Sequence, residues 1–175
     1  MTRNRTLTPT GARERREGID HVAYTRTFAA PIDDVWAAVT EPERLVRWIG
    51  TWTGDPASGT VAFRMTAEGE NCPEDTYWID ACDAPHRLAV HFSSGEGAEA
   101  ELVWRLALDL VETGGVTTLT FAQVMSDPEM ASSVGPGWDY YLDRLVAAET
   151  GGDVGAIDFD DYYPAQADHY RQAFV

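Results

Sequence analysis

Between Glu101 and Val111 the chain alternates more strictly than anywhere else: Leu102, Trp104, Leu106, Leu108 and Leu110 share one parity, with Val103, Arg105 and Asp109 on the other. Successive side chains of a strand point to opposite faces, so this pattern specifies a half-buried strand and demands a sheet covered on one side. Other segments supply the partners. Gly114-Gly115 is a hairpin signal, after which Val116–Met125 returns. Thr76–Cys82 and Arg87–Ser93 form a pair around the turn Asp83-Ala84-Pro85-His86, and Thr60–Thr66 alternates Val61, Phe63 and Met65 against Ala62 and Arg64. Near the start, Val22, Tyr24, Arg26 and Phe28 line one strand face. Such a run of hairpins predicts a meandering antiparallel sheet.

The cover for that sheet is also legible. Pro136–Glu149 reads as a long helix with Pro136 at its first position, and Trp138, Tyr141, Leu142, Leu145 and Ala148 form an apolar stripe. Gly151-Gly152 closes it as a C-cap. Two short helices follow the first strand. Ile32, Val35, Trp36 and Val39 recur at helical spacing behind Pro31, and Pro42 opens a second helix running from Glu43 to Ile49. Gly50–Gly59 reads as loop. At 175 residues the chain has room for one domain. It is divided into a flexible basic arm (1–18), a core domain (19–150), and an acidic, aromatic tail (151–175) ending in a short helix.

The order is strand, two short helices, further strands and a long closing helix, that is, an α+β helix-grip fold with about six to seven strands. Ala30-Pro31-Ile32-Asp33-Asp34-Val35-Trp36, then Thr40-Glu41-Pro42-Glu43-Arg44-Leu45 and Trp48, resemble the opening of the SRPBCC superfamily. The resemblance is to its activator of heat-shock protein 90 ATPase-like branch. Asp83–Leu88 resembles that branch's strand-connecting turn, Leu102-Val103-Trp104 and Thr117–Phe121 its last two strands, and Gly137-Trp138 with Leu142 and Leu145 the start of its closing helix. The resemblance spans about residues 20–150. It implies lipids, polyketides, hormones or other small hydrophobic molecules as cavity ligands.

Charge narrows the partners. The total is −16, and all thirteen basic residues are Arg. Residues 1–18 carry five Arg against two Glu, a local +3 that leaves −19 on the remainder. A body this acidic repels phosphate backbones and anionic bilayers, so neither nucleic acid nor a membrane is an expected partner. The absence of Lys removes Schiff-base and P-loop chemistry. Met1–Thr6 precedes no apolar run, and no stretch is long enough to span a bilayer, so the chain reads as soluble and cytoplasmic. Cys72 and Cys82 lack ligand spacing and read as free thiols, and the four histidines show no metal pattern. Asp158, Asp160 and Asp161 lack the glycine and closing Glu of a calcium loop. No metal or organic cofactor is expected.

A curved sheet gripping one helix tends to leave an apolar hollow, and such hollows commonly bind ligands. Trp48, Trp52, Phe63, Met65, Tyr77, Phe121, Trp138 and Tyr141 are the expected ligand-binding wall, with Arg26 and Gln123 as inward polar groups. For Arg26 an ion pair with Asp139 or Asp143 is favoured over a ligand handle, because buried Arg is usually paired. Gln123 stands equally between ligand contact and structural bonding. His91 is out of phase with Leu88, Val90 and Phe92 and has no carboxylate evidently placed to orient it, so no catalytic residue is assigned. The expected function is binding of a lipid, polyketide-like or aromatic molecule. The alternatives are a cyclase- or hydrolase-type cavity enzyme, which would draw on Arg26, Tyr77, Gln123 and Tyr141, and a co-chaperone-like interaction module. A homodimer through Tyr162, Tyr163, Tyr170 and Phe174 is left open.

Overall fold

The computed structural model describes residues 7–94 and 102–175. Met1–Thr6, and Glu101 at the expected strand start, lie outside them. Among the described residues the strands are β1 (Ala12–Arg16), β2 (Ile19–Phe28), β3 (Thr51–Thr53), β4 (Thr60–Arg64), β5 (Glu74–Asp83), β6 (Arg87–Ser94), β7 (Leu102–Thr113) and β8 (Val116–Val124). They form one antiparallel eight-stranded sheet in the order β1-β2-β8-β7-β6-β5-β4-β3. Helices α1 (Ile32–Thr40) and α2 (Pro42–Leu45) carry the chain from β2 to the far edge, and α3 (Pro128–Thr150) lies in the grip of the curved sheet. A last helix, α4 (Ala167–Ala173), packs on α3 and β1. This is the helix-grip fold.

The meander follows from its turns. Gly114 and Gly115, at φ 60° and 79°, make the mirror-image turn whose twist suits a two-residue hairpin, and they join β7 to β8 as expected. Glu17 and Gly18, at φ 50° and 82°, do the same between β1 and β2. The flexible-arm expectation is therefore corrected over Ala12–Arg16, which is an edge strand. Its residues are charged on both faces, so no apolar period announced it; an edge strand of that composition also resists pairing with another chain. The arm's charge docks on its own body: Arg13 pairs with Asp20 at 2.7 Å, and Arg16 reaches Asp109 at 3.7 Å. At the opposite edge β3 occupies part of the expected Gly50–Gly59 loop.

Helix α3 begins eight residues earlier than expected. The Asp127 side chain accepts from the Glu129 and Met130 amides at 2.9 and 3.4 Å, Pro128 takes the first turn, and Pro136 lies inside the helix. The stretch Ala131-Ser132-Ser133-Val134-Gly135-Pro136-Gly137 is poor in helix formers, and packing holds it in place. Tyr24 donates to the Gly135 carbonyl at 2.8 Å, and a Cβ on Gly135 would lie 2.2 Å from the Tyr170 ring. Gly151 ends the helix at φ 78°.

One end of the grip is sealed by polar groups. Asp139, 1% exposed, accepts from the Thr10 amide (3.1 Å), the Thr10 hydroxyl, Arg26 Nη2 (3.2 Å) and the Tyr170 hydroxyl. Arg26 also meets Asp143 at 3.1 Å, and Tyr162 donates to Asp143 at 2.6 Å. Residues near both chain termini thus close on the middle of α3. Burial and the neighbouring carboxylates push the Tyr162 and Tyr170 phenols well above their ordinary range. Tyr162, Tyr170 and Phe174 are spent on this packing and only Tyr163 stays substantially exposed, so the tail offers a second copy little of the expected aromatic surface. No helix among the described residues is long and apolar enough to cross a membrane.

Candidate functional site

The other end of the grip stays open. Between the sheet, α1–α2 and α3 lies a cavity of about 850 Å³. The corner where α1 meets α2 and β3 is pinned by two indoles: Trp48 Nε1 donates to the Ala38 carbonyl at 3.0 Å and Trp52 Nε1 to the Thr40 carbonyl at 2.8 Å. With their N–H groups satisfied, both turn apolar surface to the hollow. Phe63 on β4, Tyr77 on β5 and Phe121 on β8 join them, as do Met65 just beyond β4 and Trp138 and Tyr141 on α3. The structure therefore brings these eight expected residues around one hollow.

Arg26 and Gln123 lie elsewhere. The strand phase of Arg26 was read correctly, but its face of the grip meets Asp139 and Asp143 at the sealed end, and the ion pair replaces a ligand handle. Gln123 is 1% exposed and accepts from Trp138 Nε1 at 2.6 Å, so it orients the indole that lines the cavity without lining it itself.

Several wall residues were not anticipated as such. Trp104, Leu106 and Leu108 face the hollow, as the alternation of β7 implied, and so does Phe92 on β6. Phe63, Tyr77, Phe92 and Trp104 form a ring ladder across β4, β5, β6 and β7, with centroids 4.8, 4.3 and 5.6 Å apart and planes within 24°, 3° and 18°. The signal for this ladder was the shared inward parity of four neighbouring strands, legible only once their registers are known. The tail contributes Phe159, packed edge-on to Tyr140 at 5.4 Å. Glu68, on a short helical turn after β4, reaches the rim from a segment that no periodicity singled out.

Polar chemistry in the hollow is sparse. Tyr141 donates to Glu68 Oε1 at 3.1 Å across the rim. Burial first, and nearby carboxylates second, hold the Tyr77 and Tyr141 phenols above their ordinary range, so both stay protonated donors at neutral pH. His91 requires a correction. Asp80 does orient its imidazole, with Nδ1 at 2.8 and 2.9 Å from the carboxylate, and Trp78 stacks on it at 5.3 Å. The cluster lies on the opposite face of the sheet from the cavity. Among the described residues no group of His, Cys, Asp and Glu side chains could hold a metal ion.

Residues 29–149, the span that builds α1 through α3 and this hollow, match the family model described as Activator of Hsp90 ATPase homolog 1-like protein. The chain belongs to that family. Members of this SRPBCC fold bind hydrophobic ligands or act as polyketide cyclases. No curated protein matches the chain. Among solved structures, CalU16 from Micromonospora echinospora is 23% identical, with TM-score 0.70 over 95% of this chain and 97% of its own. The BPP1335 product of Bordetella parapertussis is 20% identical, with TM-score 0.67 over 94% and 90% of the two chains. DynU16, a protein in the dynemicin biosynthetic locus, is 22% identical, with TM-score 0.56 over 77% of this chain and 49% of its own. At these identities the likeness is one of fold. In this member of the Activator of Hsp90 ATPase homolog 1-like family the edge strand β1 and the tail after α3 lie outside the residues that the family model matches.

Proposed function

We propose that the protein binds a small apolar molecule in the hollow between sheet, α1–α2 and α3, with Trp48, Trp52, Phe63, Met65, Tyr77, Phe121, Trp138 and Tyr141 as its contact wall. The observation that carries this reading is an 850 Å³ cavity with an aromatic and aliphatic lining inside an otherwise packed domain. Drug-sized ligands occupy pockets of about 300–1,000 Å³ with few polar groups. A hollow of that size left empty would forfeit the dispersion contacts that ordinary cores make. The likeness to DynU16, from a biosynthetic locus, supports a natural product or an intermediate of similar character as the occupant.

The cyclase or hydrolase reading needs polar groups that converge in the hollow. Arg26 is ion-paired at the sealed end and Gln123, whose carbonyl accepts from Trp138, does not line the hollow, so of the four residues that reading draws on only Tyr77 and Tyr141 remain, with Glu68 at the rim. Phenols held protonated serve better as hydrogen-bond donors than as bases. Binding without turnover is therefore the better supported function.

The test uses the full chain with 1-pyrenemethanol, a neutral aromatic probe, followed by fluorescence and native mass spectrometry. One-to-one binding is expected, with the probe recovered unchanged. Leu106→Trp, which fills the hollow, should weaken binding at least about tenfold while moving Tm little, because the added volume enters space that already exists. Equal binding by the variant would place the probe elsewhere and refute the reading.

A further inference from the structure

The wall of the cavity is unequal in charge. Among the described residues that line it, Glu68 is the sole carboxylate, and there is no Arg or His; the sequence contains no Lys at all. Two arginines flanking the hollow are held by protein groups. Arg44 bonds Asp34 and Glu149, and Arg144 donates to the Trp48 carbonyl at 2.9 Å and lies over the Tyr140 ring at 5.3 Å. A ligand carboxylate drawn into this hollow would lose its hydration and meet no cation among the described residues that line it. A buried charge left unpaired in that way is strongly disfavoured.

The ring ladder adds a constraint on shape. Side chains stand roughly perpendicular to a sheet, and Phe63, Tyr77, Phe92 and Trp104 stack face to face from strand to strand. Both faces of Tyr77 and Phe92 are spent on their neighbours, so what these two offer the hollow is their edges, the positive part of the aromatic quadrupole. Edges favour the π-face of a flat, electron-rich ring system. A cation deep against them finds no ring face to sit on. At the rim the balance reverses: Glu68 is exposed there, and an acidic protein field adds to its attraction.

We propose that the cavity sorts ligands by charge and shape: it takes a flat aromatic body whose protonated amine is held at the rim by Glu68, and it rejects carboxylates, fatty acids included. This rests on the hollow being the ligand site, and it fixes the class of ligand.

Three probes on one scaffold separate the two ideas: 1-pyrenemethylamine, 1-pyrenemethanol and 1-pyrenecarboxylate, titrated into the full chain at pH 7. The amine should bind about two- to fivefold more tightly than the alcohol, the range of an exposed ion pair, with the advantage shrinking in high salt. The carboxylate should bind at least about tenfold more weakly than the alcohol. In Glu68→Gln the amine should bind within about twofold of the alcohol measured on the same variant. If the alcohol binds but the carboxylate matches it, or if Glu68→Gln leaves the amine's advantage intact, the sorting rule is overturned and the cavity reading survives. If none of the three binds, both fall together.

Discussion

Replacing Asp139 with Ala tests the reading of the sealed end. Asp139 is 1% exposed and is the common acceptor for Thr10, Arg26 and Tyr170. The side chain of Arg26 is itself only 10% exposed, so the substitution strands a guanidinium whose remaining carboxylate is Asp143, at 3.1 Å. Breaking a buried pair from one side costs about 3–5 kcal/mol. Retention of Asp143 argues for the lower half of that range, and an orphaned Tyr170 hydroxyl pulls back upward by about 1 kcal/mol. The expected loss is therefore about 3–5 kcal/mol, or a Tm lower by about 6–20 °C for a domain of this size. Equilibrium urea denaturation and calorimetry would read the loss. Hydrogen exchange would show whether the Gly11 amide, which donates to Tyr170 at 2.9 Å, loses its protection first. The double variant Arg26→Met with Asp139→Leu removes both charges and should recover most of the stability. A single-variant loss below about 1 kcal/mol, or a double variant worse than the single, would refute the account of Asp139 as the hub.

Two further outcomes concern the packing of α3 and the buried phenols. Gly135→Ala would set a Cβ within 2.2–2.5 Å of three Tyr170 ring atoms, so it should cost about 1–3 kcal/mol or more despite the better helix propensity of Ala. In a Tyr170→Ala background the same change should turn neutral or stabilising by up to about 1 kcal/mol, and an unchanged sign in denaturation experiments would count against the contact. Five of the seven tyrosines, Tyr24, Tyr77, Tyr141, Tyr162 and Tyr170, have phenols raised above their ordinary value, chiefly by burial. Above about pH 10 the unfolded chain sheds these protons and the folded one keeps them. The unfolded state then binds fewer protons and stability falls as pH rises, by at most about 1.4 kcal/mol per pH unit for each tyrosine. Below that pH the same groups contribute no slope. Phenolate absorbance near 295 nm should rise together with loss of near-UV dichroism, and full titration without unfolding would disprove the burial.

How legible the fold was depended on where periodicity carried the information. The alternation at Trp104, Leu106 and Leu108 and the stripe at Leu142 and Leu145 put the right faces against each other, because burial leaves a direct trace in sequence. Ala12–Arg16 left none: an edge strand of charged residues is held by backbone pairing and a Glu17-Gly18 turn. The N-terminal half of α3 was equally silent, since Gly135 and Pro136 are poor helix residues held in place by Tyr170 and Tyr24. In the hollow, aromatic residues could be nominated by phase, but phase does not say which side of α3 a strand residue meets. Arg26 and Phe121 both face the grip, and only the sheet order separates the ion pair of one from the cavity wall of the other. Glu68 lay beyond reach because its place depends on how one turn folds back toward α3.

The division of α3 into a sealed side and an open side has a consequence for how the protein can change. Asp139, Arg26, Tyr170 and the two terminal segments anchor the chain on one side of the helix, while the residues that line the hollow sit on the other. Substitutions that face the hollow leave the polar anchor untouched, but Trp48, Leu119, Leu142 and Leu145 belong to the buried core as well as to the lining, so there the cost in stability is felt too. On the anchored side, a tag, fusion or deletion near Thr10 or Phe174 would tax the stability of the whole molecule and leave ligand choice untouched.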